Sequence, residues 1–309
     1  MDTSPHTNGF VNANGIRLHY LDWHGDGPVL LFLTAMGCSA HIFDKFAPRF
    51  TDNFHVIALT RRGHGDSDYP ETGYDPDTLT EDVRQFLDAL KFDQVILVGH
   101  SMANIELCHL AALYPERVLK LVFLDAAYDR TLPGYKAIME KNPLKHIQPP
   151  DATNDCHTIE QYVASCKRAN PALASIWGEL MDEEVLHWVK KNPDGYVVDR
   201  MSPAISKALN DTLVSYTPED SKIKAPVLSI YVILDSAYFL SPEYMTEEQQ
   251  KQVVEFIDTL RPIHQRECIE QFRHNAPHAK IIEISRGHHY CFIKHEDFVF
   301  DEMSKFLVE

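Results

Sequence analysis

The sequence predicts an α/β fold: a mostly parallel, twisted sheet flanked by helices, with one helical insertion. Three observations carry this. Short, continuous apolar runs recur at 29–33 (VLLFL), 55–59 (HVIAL), 95–98 (VILV), 120–124 (KLVFL), 227–232 (VLSIYV) and 280–284 (KIIEI). Segments of helical periodicity separate them. A small-x-Ser-x-small pentad, Gly99-His100-Ser101-Met102-Ala103, stands where one run gives way to a helical pattern.

Residues 9–23 alternate in polarity around Asn14-Gly15 and read as a hairpin at the sheet edge. The later runs are apolar throughout, as suits strands covered on both faces. Between them, 80–90 carries Val83, Phe86, Leu87 and Leu90 on one helical face. The segment after the pentad does the same with Leu107, Leu110, Ala111 and Tyr114, and Pro115 stops it. Strands alternating with helices imply right-handed crossovers. From 129 to 221 the strand signal vanishes. This stretch holds Pro143, Pro149, Pro150, Pro171 and Pro193, with Trp177, Trp188 and apolar residues at helical spacing (Ile159, Tyr162, Val163; Leu180, Val185, Val189). At roughly ninety residues it is too long for a loop. It reads as a strand-free helical cap, dividing the chain into a core of 1–129 and 222–309 and a cap of 130–221. Thr246 to Gln249 fits a capping box opening a helix over 247–260. A last helix, 295–307, packs Phe298, Met303, Phe306 and Leu307.

A chain of 309 residues with 44% hydrophobic content suits one large domain or a domain with an insertion. The formal net charge of −16 repels polyanions, which argues against nucleic acid and anionic membrane surfaces as partners. The polar N-terminus has no secretory pattern, and no apolar run is long enough to span a bilayer. The six cysteines are scattered without a C-x-x-C pair and read as free thiols of a reducing compartment. The expectation is a soluble, cytoplasmic protein. The sequence does not set its oligomeric state.

The pentad reads as a nucleophile elbow. So tight a strand-to-helix turn leaves room only for small residues two before and two after the serine, and it lifts the hydroxyl above the sheet. A serine hydroxyl is a poor nucleophile unless a base takes its proton and an acid orients that base. The strand 226–235 runs into Asp235, and 282–290 runs into His288-His289. A second aspartate, Asp125, ends the strand just after the elbow helix.

Together these motifs resemble the α/β-hydrolase family, and specifically its capped, esterase-like members. The segment 61–68 (RRGHGDSD) looks like that family's Arg-Gly-x-Gly-x-Ser, and 114–118 (YPERV) is also typical. The resemblance implies the α/β-hydrolase fold and partners in the order serine, acid, histidine. The Pro226-to-Asp235 spacing matches the family's acid, so Asp235 is the expected acid and Asp125 the runner-up. His289, followed by Tyr290-Cys291-Phe292-Ile293, fits the family's histidine better than His288. The oxyanion donors implied are the backbone N–H groups of Met102 and Met36. The chain departs from the family where its His-Gly pair is replaced by Thr34-Ala35, and at Ala103, where glycine is usual.

His274 and His278 lie four apart, but no carboxylate completes a metal set and Pro277 interrupts the helix, so no metal site is read. Gly63-His64-Gly65 lacks the third glycine of a dinucleotide fingerprint. His100 reads as packing beside the nucleophile. The resulting expectation is a cofactor-free, carboxylesterase-like serine hydrolase. It would cleave an ester, thioester, lactone or amide of a small to medium hydrophobic acyl substrate through an acyl-enzyme on Ser101. The altered Thr34-Ala35 segment keeps two alternatives: the same triad in a lyase or perhydrolase, or a hydrolase-derived binding protein.

Overall fold

A computed structural model describes residues 6–147, 149 and 155–309. Pro150 and the first five residues of the polar N-terminus lie outside the described residues. The strands are β1 (Thr7–Ala13), β2 (Ile16–His24), β3 (Val29–Leu33), β4 (His55–Thr60), β5 (Val95–His100), β6 (Val118–Leu124), β7 (Val189–Lys191), β8 (Val197–Asp199), β9 (Val227–Leu234) and β10 (Lys280–Gly287). Helices α1 (Pro76–Ala89) and α2 (Asn104–Leu113) lie among the first strands. Between β6 and β9 come α3 (Pro133–Glu140), α4 (Ile159–Ala169), α5 (Pro171–Ala174), α6 (Glu179–Trp188) and α7 (Pro203–Ser215). Helices α8 (Glu247–Glu255), α9 (Arg261–Asn275), α10 (Cys291–Lys294) and α11 (Glu296–Val308) complete the chain.

The eight-stranded sheet has the order β1-β2-β4-β3-β5-β6-β9-β10. The β1–β2 hairpin forms one edge and pairs antiparallel, and β2 joins β4 antiparallel. From β4 to β10 every pairing is parallel. The runs are apolar throughout because successive side chains enter two different cores. On β3, Leu31 and Leu33 face the core shared with Phe86 of α1, Leu107 of α2 and Phe272 of α9. Leu30 and Phe32 face the other, with Phe43, Phe46, Phe50 and Met303 of α11.

The order reverses between β3, whose chain crosses to β4 on one side, and β5, which lies on the other. Loops leaving the carboxyl ends of two such neighbours diverge and open a crevice between them. The loop after β3 carries Thr34-Ala35-Met36, and the turn after β5 carries Ser101. Topology alone therefore sets these segments face to face.

Three expectations are corrected. The segment between β6 and β9 is not strand-free. Val189–Lys191 and Val197–Asp199 pair as an antiparallel ribbon around a turn with Gly195 at φ +86°. Strands this short give no periodic signal against the helical pattern before them. The helix opened by the Thr246 capping box does not end at 260. It passes through a π-helical turn, Phe256–Leu260, directly into α9. In α11, Val299 and not Phe298 joins Met303, Phe306 and Leu307 in the core, and Phe298 is 47% exposed. All six cysteines are free thiols. No helix among the described residues is long and apolar enough to cross a membrane.

The β6–β9 segment is fastened to the loop after β3 by a buried carboxyl. Glu184 on α6 accepts hydrogen bonds from the Ser39 N–H (2.6 Å), the Ser39 hydroxyl (2.5 Å) and the Trp188 indole N–H (2.7 Å). Burial pushes its carboxyl up to about 7, partly offset by the Ser39 donors. The folded protein then holds a proton that the unfolded chain has released, so this group's contribution declines as pH rises from about 4.5 to 7. Glu184→Gln is neutral at every pH. Its carbonyl can accept from the Ser39 and Trp188 N–H groups, and its amide can donate to Ser39 Oγ. The variant is expected to match the wild type at pH 5 and exceed it at pH 8 by on the order of 2 kcal/mol. Urea unfolding at both values checks this.

Candidate active site

The elbow is built as its small residues require. Ser101 has φ +56°, rare for a residue with a side chain, directly after the last residue of β5. A Cβ on Gly99 would stand 2.7 Å from Leu107 Cδ1 and 2.9 Å from the Ala103 Cβ. The turn therefore accepts a methyl at 103 because it has none at 99. Ser101 Oγ takes no hydrogen-bond partner among the described residues, which suits a nucleophile whose contact with its base tightens when substrate binds.

His289 does not meet Asp235. Its Nδ1 lies 2.6 Å from Oδ2 of Asp125, the aspartate at the end of β6. Asp125 has φ +46° and is 1% exposed. Its Oδ1 accepts from the Tyr128 hydroxyl (2.5 Å) and the Val232 N–H (3.0 Å). Burial beside this carboxylate pushes the Tyr128 phenol well above its ordinary value, so it remains a donor. Gln265 on α9 supports the arrangement, donating to Tyr128 Oη at 3.0 Å and to the Val232 carbonyl at 2.8 Å. Asp235 instead caps the turn after β9 by accepting from the Ala237 N–H at 3.0 Å. It pairs with Arg286, whose side chain is 80% exposed. Leu234 lines the cavity, and the next residue turns away from it.

His288 is bound elsewhere. One ring nitrogen contacts the Ala172 carbonyl (3.0 Å), the other the Tyr290 N–H (3.0 Å), and burial lowers its pKa to about 4. His100 ties the elbow to the histidine loop. It is fully buried, its ring centroid is 4.6 Å from that of His289, and its Nε2 donates to the His289 carbonyl at 3.0 Å. Burial holds this ring far below the usual histidine range, so it stays neutral.

The Thr34-Ala35 departure has a structural counterpart. The Thr34 hydroxyl donates to the Cys38 carbonyl (3.1 Å), closing the loop on itself. The Thr34 carbonyl accepts from buried Arg61 (2.7 Å), which is paired with buried Glu106 (2.8 Å). Ala35 packs into the core, and the Met36 N–H has no acceptor among the described residues. Met102, the other expected oxyanion residue, is buried directly after Ser101. In the 61–68 segment, the Ser67 hydroxyl donates to the Thr60 carbonyl (2.6 Å), and Gly65, at φ +48°, packs where a Cβ would meet Ser39 at 2.7 Å.

A cavity of about 470 Å³ opens on His289. The core contributes Met36, Gly37, Leu234 and Phe239 to its lining, and the β6–β9 segment contributes Leu173, Trp188 and Met201. Groups that could hold a metal lie elsewhere: His6-His41-Asp44, His19-His41-Asp66 and Asp22-His24-His55. Their side chains are already engaged with one another or with Asn8, Thr60, His187 and Arg200. His274 and His278 are not among them.

This architecture belongs to a recognisable class. Residues 28–231 match the family model described as alpha/beta hydrolase fold, and the chain belongs to that family. It is similar to 2-(acetamidomethylene)succinate hydrolase of Mesorhizobium japonicum (strain LMG 29417 / CECT 9101 / MAFF 303099), at 37% identity over 101 residues, 33% of this chain and 36% of the relative. It is also similar to epoxide hydrolase 4 of Mus musculus, at 27% identity over 128 residues, 40% and 36% of the two chains. The chain thus spans little more than a third of the length of these curated relatives. Among solved structures, E-2-(acetamidomethylene)succinate hydrolase superposes with a TM-score of 0.75 at 19% identity, covering 98% of this chain and 100% of that one. The enol-lactonase of Burkholderia xenovorans LB400 gives 0.61 at 19% identity, covering 97% and 100%. At these identities the likeness shows the fold.

Proposed function

We propose that the protein is a serine hydrolase that cleaves a carboxylic ester or related acyl bond through an acyl-enzyme on Ser101. The observation that carries this is the pairing of His289 with buried Asp125 at 2.6 Å, together with a serine held at φ +56° on an elbow. Asp125 accepts a hydrogen bond from the Nδ1–H of His289 and so leaves Nε2 free to take the proton of Ser101 as its oxygen attacks the acyl carbon. The Met36 and Met102 amides receive the developing oxyanion. His289 returns the proton to the leaving group, and water, deprotonated in turn by His289, releases the acyl chain. The side chains of Leu173, Trp188 and Phe239 suit a small to medium substrate with apolar surface. Residues 130–221 act as a cap in this reading.

The fastened Thr34–Cys38 loop leaves the Met36 N–H available to an oxyanion, as acyl transfer requires. Fluorophosphonate labelling with peptide mapping tests the proposal. A single adduct on Ser101 is expected, with turnover of short-chain aryl esters. Folded protein without an adduct overturns it.

A further inference from the structure

The cavity holds an arginine that forms no ion pair among the described residues. Arg261 begins α9 directly after the π-helical turn and lines the same cavity as His289. Among the described residues it makes neither an ion pair nor a hydrogen bond. The chain carries 45 acidic against 29 basic residues, so an unpaired, half-buried arginine is not explained by a shortage of carboxylates. Asp199 lines the same cavity and accepts from the Tyr162 hydroxyl, Asp258 bonds Ser236, and Asp129 bonds Thr131 and Gln271; none of them pairs with Arg261. Arg130 is a second cation in this corner. It lines an adjoining cavity together with Arg261 and His264, and its Nη1 is buried without a partner. His264 reports the local field. Burial first, then Arg130, and less strongly Arg261, lower its pKa to about 4, partly offset by Asp129.

A guanidinium partly withdrawn from water gains most from a planar, bidentate anion. We propose that Arg261 receives a carboxylate carried by the substrate, so that the preferred substrates are acyl compounds bearing a free acid group. For the identity of the bond cleaved this rests on the hydrolase reading, but the carboxylate subsite does not depend on turnover.

Binding to the Ser101→Ala variant keeps the two apart. Calorimetry would compare monomethyl glutarate, which carries one carboxylate, with dimethyl glutarate, which carries none. The monoester is expected to bind at least about ten-fold more tightly. Adding Arg261→Gln should reduce that ratio to about two-fold or less, and Arg261→Lys should restore part of it. A ratio near one in the Ser101→Ala parent, or one unchanged by Arg261→Gln, overturns the assignment. Failure of the fluorophosphonate label with the ratio intact overturns the hydrolase reading alone.

Discussion

Replacing Ser101 by alanine is expected to lower kcat on an aryl ester by about 10⁶-fold, and His289→Ala by a similar factor. The double variant should be little worse than either single one. The serine is the nucleophile only while the imidazole removes its proton, so losing one partner disables the other. The residual rate reflects the cavity and the Met36 and Met102 amides, which neither change removes. His288→Ala separates the two histidines. Its ring contacts the Ala172 carbonyl and the Tyr290 N–H, so its loss loosens the histidine loop but leaves the proton carrier in place. That variant should retain measurable turnover and unfold at lower temperature. Steady-state kinetics with thermal melts decides, and an inactive His288→Ala beside an active His289→Ala would move the base to His288.

Asp125→Asn is expected to cost on the order of 10⁴-fold in kcat, and Asp235→Asn almost nothing. The amide at 125 can present an N–H to His289 Nδ1 and thereby favour the tautomer that carries its proton on Nε2, where it cannot accept one. It also loses the anion that stabilises the imidazolium in the transition state. The Tyr128 hydroxyl and the Val232 N–H still hold the side chain, so the protein should remain folded. Asp235 faces Arg286 at the surface, and an exposed pair of that kind contributes about 0–1 kcal/mol. Kinetics of the two variants under identical conditions gives the comparison, and equal losses would contradict the geometry.

The two aspartates show where sequence stops being sufficient. Both close apolar strands and both precede the histidine. Spacing from Pro226 favours Asp235, yet spacing along a strand does not record which way the last side chain turns. At the end of β9, Leu234 takes the cavity side and Asp235 the other. At the end of β6, a left-handed backbone at Asp125 swings the carboxylate beneath His289. The ribbon β7–β8 is illegible in the sequence for a different reason. Three-residue strands are shorter than the periods by which strands are recognised. The expected place of Phe298 in the core falls to its neighbour Val299, because a helical face defined by a few apolar residues tolerates a shift of one position.

What the sequence determined by itself was local and periodic: the apolar runs that become sheet strands, the hairpin around Asn14-Gly15, the capping box at Thr246, and an elbow that only small residues at 99 and 103 permit. These rest on sterics and burial patterns within a few residues. Tertiary structure alone decided the acid beside His289, the fastening of the loop after β3 through Arg61 and Glu106, and the placement of Arg261 in the cavity. Each joins residues far apart in the chain. Their meeting depends on sheet order and side-chain direction, which no local pattern carries.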